Sequence, residues 1–108
     1  MYKTLKFKPH LVELILSGEK TVTWRLFDDK ELKEGDKVEI VNSETGELAA
    51  HALIENVYTK PLSQVTDDDY VGHEKYNSFE EMLNTFRGYY GEKVAEDTEL
   101  KIITFKIV

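Results

Sequence analysis

Eight consecutive residues, Gly18-Glu19-Lys20-Thr21-Val22-Thr23-Trp24-Arg25, hold a lysine, two threonines, a tryptophan and an arginine. If one face of this stretch lines a cleft, a hydroxyl and a guanidinium converge there. A guanidinium stays charged, so Arg25 would orient a ligand instead of reacting. Strand alternation puts Thr21, Thr23 and Arg25 on one face and Val22 with Trp24 on the other, toward the core. Lys20 has the wrong parity for the first face. It belongs to the turn after Gly18, from which its stem can reach back toward Thr23. The competing reading is a capped helix followed by an ordinary edge strand with Thr, Lys and Arg in solvent.

Other chemistries find less support. The chain has no cysteine, which removes disulfides, thiolate zinc sites and thiol nucleophiles. His10, His51 and His73 fall on separate predicted elements without H-x-x-x-H or H-E-x-x-H spacing, so no metal centre is expected. The run Asp67-Asp68-Asp69 lacks the glycine and terminal glutamate of a calcium loop and reads as a solvated acidic loop. Gly18-Glu19-Lys20-Thr21 has neither the upstream glycine nor the strand-to-helix setting of a phosphate loop, and no cofactor is expected.

The elements that must position the cluster follow from periodicity. Tyr2 to Phe7 alternates, with Leu5 and Phe7 on one face, and predicts a first strand. Pro9 suits the first turn of a helix whose stripe is Leu11, Val12, Leu14, Ile15 and Leu16, with Gly18 as its C-cap. Thr21 to Arg25 predicts a strand. Val38 and Ile40 mark another, and Asn42 to Gly46 a hairpin loop into a long strand over about Glu47 to Lys60, ended by Pro61. Ser78 and Glu81 form a capping box ahead of a helix with Phe79, Met82, Leu83, Phe86 and Tyr90 on one face. Leu100 to Val108 predicts a closing strand with Ile103, Phe105 and Ile107 inward. The order β-α-β-β-β-α-β predicts an α+β fold, a small curled mixed or antiparallel sheet or barrel flanked by two or three helices.

At 108 residues the length fits a single domain over 1–108. No apolar run approaches the ~20 residues of a membrane span and no signal-peptide core opens the chain, so a cytoplasmic monomer without membrane association is expected. The formal net charge is −7, and residues 1–42 balance eight basic against eight acidic residues, so the excess lies beyond them. An acidic chain is repelled by a polyanion, which favours a small ligand over RNA. A local basic groove from Lys3, Lys6, Lys8, Lys20 and Arg25 keeps RNA open as a partner.

Gly18-x-Lys20-x-x-Thr23-x-Arg25 resembles the G-x-K-x-x-[ET]-x-R signature of the ASCH (activating-signal-cointegrator homology) domain. The helix before it, Lys33-Glu34-Gly35-Asp36-Lys37-Val38 and Ser78-Phe79-Glu80-Glu81 extend the resemblance over nearly the whole chain. It implies a PUA-like β-barrel with a cleft whose wall carries the signature, and the family at large is described as an RNA-binding module. Threonine at position 23, where many members have glutamate, is similar to the small bacterial ASCH enzymes that hydrolyse N4-acetylcytidine. That likeness implies a catalytic set of Lys20, Thr23 and a glutamate before the last helix. The glutamate corresponds to Glu74, with a register displaced by about one residue and Glu80 and Glu81 as rivals. Arg25, Thr21 and Tyr70 would contact the substrate. Two readings therefore stand: a metal-independent amidohydrolase acting on a nucleoside, with Thr23 as nucleophile or as a positioning group, and a non-catalytic RNA- or nucleotide-binding domain.

Overall fold

Strand β1 (Lys3–Phe7) buries Leu5 and Phe7 and exposes Lys6 between them. Helix α1 (Pro9–Ser17) opens on Pro9, which has no amide hydrogen to leave unpaired. Only Val12 and Ile15 of its expected stripe are buried, and Leu16 is 54% exposed. Gly18 closes the helix at φ 86°, a conformation that costs a residue with a β-carbon. The Glu19 and Lys20 amides both donate to the Leu14 carbonyl at 3.0 Å. This turn sets the point from which β2 (Val22–Leu26) departs.

The computed structural model describes residues 3–27, 31–71, 73 and 75–108. Beyond β2 come β3 (Lys37–Asn42), β4 (Leu48–Pro61), two 3-10 turns (Leu62–Gln64 and Asp67–Tyr70), α2 (Phe79–Tyr90) and β5 (Glu99–Ile107). The five strands form one sheet in the order β1-β3-β4-β5-β2. β1 runs parallel to β3, and the other pairings are antiparallel. The expected α+β architecture is thus a mixed, five-stranded half-barrel with two helices.

β4 serves two neighbours. Its first half pairs with β3 and its second with β5. Register shifts at Ile40/Val41 and Ile54/Asn56 are the irregularities that bend and twist a sheet. The curl brings the two edge strands, β1 and β2, toward each other, and Arg25 Nη2 donates across the seam to the Lys6 carbonyl at 2.9 Å.

Both faces of the sheet are buried. Leu5, Phe7, Val12, Ile15, Val38, Ile40, Ile54, Ile103 and Phe105 gather on the α1 side. Val22, Trp24, Leu26, Met82, Leu83, Phe86, Leu100 and Ile102 gather under α2. β5 is therefore apolar on two faces, not one. Ile107 is 41% exposed, contrary to expectation; it sits opposite Ala52 on the last rung of the ladder between β4 and β5. The capping box at α2 is half formed. Ser78 Oγ accepts from the Glu81 amide at 3.1 Å, but the Glu81 carboxylate accepts from Asn77 Nδ2 instead.

Candidate functional site

The seam between β1 and β2 opens into a cleft of about 250 Å³, at the small end of ligand pockets. Lys6, Phe7, Lys8, Leu11 and Ser43 line one wall, and Lys20, Thr23, Trp24 and Arg25 the other. His73, Tyr76, Phe86, Tyr89 and Tyr90 complete it. Lys20, Thr23 and Arg25, singled out by spacing, thus line one cavity. Lys20 and Thr23 are only 3% and 4% exposed. A buried lysine or hydroxyl is costly unless it is paired or hydrogen-bonded.

The other expected contacts fall differently. Thr21 is exposed and stands before β2 begins; it lines a second depression with Ser17, Gly18 and Ile107, which Lys20 also borders, and does not line the cleft. Its carbonyl accepts from the Phe105 amide at 2.9 Å. The alternation that would have turned it into the cleft holds only from Val22 onward. Tyr70 does not line the cleft either. It packs behind Trp24 with ring centroids 4.9 Å apart and points its hydroxyl at Met82 Sδ. Glu74 lies outside the described residues. Glu80 and Glu81 are exposed on the first turn of α2 and do not line the cleft.

Trp24 is both core and cleft. Parity places it under α2, where it is buried, yet β2 is an edge strand and its open side shows side chains of both faces. The His73 ring stacks on the indole at 4.1 Å and 19°. Trp24 Nε1 is the one buried side-chain polar atom without a hydrogen-bond partner among the described residues. Such orphans are rare, since indole N–H groups normally find an acceptor when buried. His73, Tyr76 and Tyr89 were not foreseen. The two described residues of the irregular 71–77 segment that reach the cleft carry no periodic signal. Tyr89 lies beside the foreseen Phe86 and Tyr90 at helical spacing.

A buried ionic cluster fixes the approach to that segment. The Asp69 carboxylate, 5% exposed, accepts from Lys60 Nζ (2.7 Å), Tyr58 Oη (2.8 Å) and the Thr66 amide (2.7 Å). Burial raises its pKa, but the bonds from Lys60, Thr66 and Tyr58 outweigh that and hold it at about 2. Burial and the bond to Asp69 push the Tyr58 hydroxyl up to about 12. Burial, helped by Asp67 and Asp69, also raises Tyr70. The reading of Asp67-Asp68-Asp69 as a solvated loop holds for the first two residues only. The 3-10 turn rotates the third inward, onto β4. Among the described residues no three His, Asp or Glu side chains gather as a metal site.

Half-barrel, flanking helices and a signature-bearing seam define a PUA-like α+β domain. The chain belongs to the ASCH domain family, which it matches over residues 2–108. Its backbone is similar to a crystal structure of a protein from Enterococcus faecalis V583 (TM-score 0.82, 19% identity, covering 100% of this chain and 80% of that one). It is also similar to an ASCH domain from Lactobacillus crispatus JV V101 (0.78, 18%, 98% and 79%). ASCH from Zymomonas mobilis is similar too (0.69, 13%, 95% and 65%). At such identities these likenesses establish the fold. No curated protein matches the sequence. No described helix is long and apolar enough to cross a membrane.

Proposed function

We propose that the cleft hydrolyses the exocyclic amide of N4-acylated cytosine nucleosides, N4-acetylcytidine among them, with Lys20, Thr23 and Glu74 as the catalytic set. One observation carries the reading. Three polar or charged side chains are buried among the described residues: Lys20, Thr23 and Asp69. Asp69 is bonded to Lys60, Tyr58 and Thr66 and does not line the cleft. Lys20 and Thr23 both line it.

The chemistry is conventional amide cleavage. Thr23 Oγ1 adds to the acyl carbonyl as the Lys20 amine takes its proton. Collapse of the tetrahedral intermediate breaks the C–N4 bond, and a proton delivered to N4 releases the free cytosine amine. Glu74 is assigned that proton by the family resemblance. Water then cleaves the acyl-threonine, releasing a carboxylic acid and restoring the hydroxyl. In a variant of the same scheme, Lys20 activates water and Thr23 only positions the carbonyl. Arg25, with one N–H committed to the Lys6 carbonyl, orients substrate. Aromatic rings around the cavity suit a flat pyrimidine.

Incubation with N4-acetylcytidine, followed by the absorbance change on cytidine release, tests the reading. Lys20→Ala and Thr23→Ala should each lower kcat/KM by ~100-fold or more, while Thr23→Ser retains turnover if the hydroxyl attacks. Full turnover in folded Lys20→Ala and Thr23→Ala would refute the catalytic assignment. A second reading, a non-catalytic RNA- or nucleotide-binding domain, is favoured by the lysines on the β1 wall. It predicts no turnover and binding that weakens steeply with salt.

A further inference from the structure

We infer that the Trp24 indole N–H is a ligand-binding donor, which holds the 2-carbonyl oxygen of the pyrimidine while Lys20 and Thr23 meet the acyl group. The inference rests on the cytosine-nucleoside reading of the cleft and is independent of whether hydrolysis occurs there. The first observation is an unmet donor. Trp24 is 5% exposed, and its Nε1 is the one buried side-chain polar atom without a hydrogen-bond partner among the described residues. An indole nitrogen can only donate. Leaving it unpaired away from water costs free energy, a cost that phenylalanine at the same position would not carry. Trp24 lines the cleft, and borders neither the depression at Ser17 and Gly18 nor the one at Phe27 and Glu99. The cleft is therefore where a partner for the N–H can enter.

The second observation is how the indole is held. The rings of His73 (4.1 Å, 19°), Phe86 (6.5 Å, 18°), Tyr70 (4.9 Å) and Tyr76 (6.2 Å) pack around it. Two nearly parallel neighbours keep its plane from turning, so the N–H direction is set before a ligand arrives. A donor fixed in advance binds with little further loss of side-chain freedom. Phe86 and Tyr70 belong to α2 and to a 3-10 turn, whereas His73 and Tyr76 lie outside helix and strand and themselves line the cleft. A shift of either of these two rings uncovers the nitrogen to a ligand. The choice of acceptor follows from the strand. Thr23 and Trp24 are neighbours on β2, with side chains on opposite faces. The acyl carbonyl is the group that Thr23 meets, so Trp24 is left the ring's own carbonyl, further along the same edge of the base. A carbonyl accepts near its own plane, which suits a donor meeting the base edge-on.

The chain has one tryptophan, so the isotope-labelled intact protein gives one indole N–H resonance, which the test follows by NMR. Cytidine should move that resonance downfield and slow its exchange with solvent. 2-Thiocytidine, whose sulfur is a poor acceptor, should move it far less. Calorimetry runs alongside. The unmodified chain should bind cytidine roughly five- to tenfold more tightly than 2-thiocytidine, and Trp24→Phe should bind the two alike. A tryptophan that only packs would scale both affinities together and leave their ratio intact. Should Trp24→Phe fail to fold, the indole resonance of the unmodified protein decides the matter. A resonance that bound cytidine leaves in place, or that both ligands move equally, overturns the inference and leaves a buried water as the partner of the N–H. A ratio that survives Trp24→Phe overturns it too. Hydrolysis is scored separately on N4-acetylcytidine. A moved resonance and a collapsed ratio without turnover refute the enzyme reading alone, and turnover with an unmoved resonance refutes the donor alone. Failure of both cytidine and N4-acetylcytidine to bind overturns the cytosine reading and this inference together.

Discussion

Asp69→Asn should cost about 2 kcal/mol of stability at neutral pH, and the loss should vanish in acid. The carboxyl is held at about 2 against an ordinary 3.8, which at ~1.4 kcal/mol per tenfold is about 2 kcal/mol favouring the ionised, folded form. The sign follows from a depressed acid. The contribution is complete above pH ~4 and is lost as pH falls toward 2. For a chain of this length the melting temperature should drop by about 8 °C. Asparagine keeps the size and an acceptor for Tyr58 or Thr66, so the change isolates the charge facing Lys60. Thermal melts followed by circular dichroism at pH 7, 4, 3 and 2 provide the assay. The unmodified protein and Asp69→Asn should differ fully at pH 7 and 4, and converge near pH 2. Added salt should alter the gap little, because a pair only 5% exposed at the carboxylate is poorly screened. A gap that stays constant down to pH 2, or no gap at pH 7, would refute the reasoning.

Two further substitutions probe the seam. Gly18→Ala meets no neighbouring atom within 4 Å, so only the φ of 86° opposes it. It should destabilise by ~1 kcal/mol in urea unfolding and should raise KM by moving the turn that presents Lys20. Trp24→Phe deletes an indole N–H that has no partner, so its stability cost should fall below the ~3 kcal/mol or more of truncating a buried aromatic to alanine. A larger loss by chemical denaturation would mean that the indole nitrogen is satisfied after all.

The element order was legible because alternation and helical spacing are local properties: Leu5 with Phe7, Val38 with Ile40, and Pro9 with Gly18 bracketing α1. What escaped depended on which strand became an edge and how a turn rotated. Trp24 has core parity, and only the position of β2 at the rim of the sheet lets it line the cleft as well. Nothing in Asp67-Asp68-Asp69 distinguishes the third residue, whose burial needs Lys60 and Tyr58 brought across from β4. Thr21 shares parity with Thr23 but precedes the strand. Of the candidate site, the signature residues Lys20, Thr23 and Arg25 could be read directly. Lys6 and Lys8 of the expected basic groove line the cleft as well, while Lys3 does not, and Ser43 escaped because it joins that wall only once β1 and β3 pair.

An incompletely closed barrel leaves two strands whose outer backbone groups have no partner strand, and such edges invite pairing with other chains. Here the two edges, β1 and β2, face each other across the cleft, with Arg25 tied over the gap. Because they face each other across the seam, their unpaired backbone groups lie within it and not on an open outer margin of the sheet. A mutation that widened the seam, such as loss of the Arg25 tie, would be felt first as aggregation and only second as altered binding.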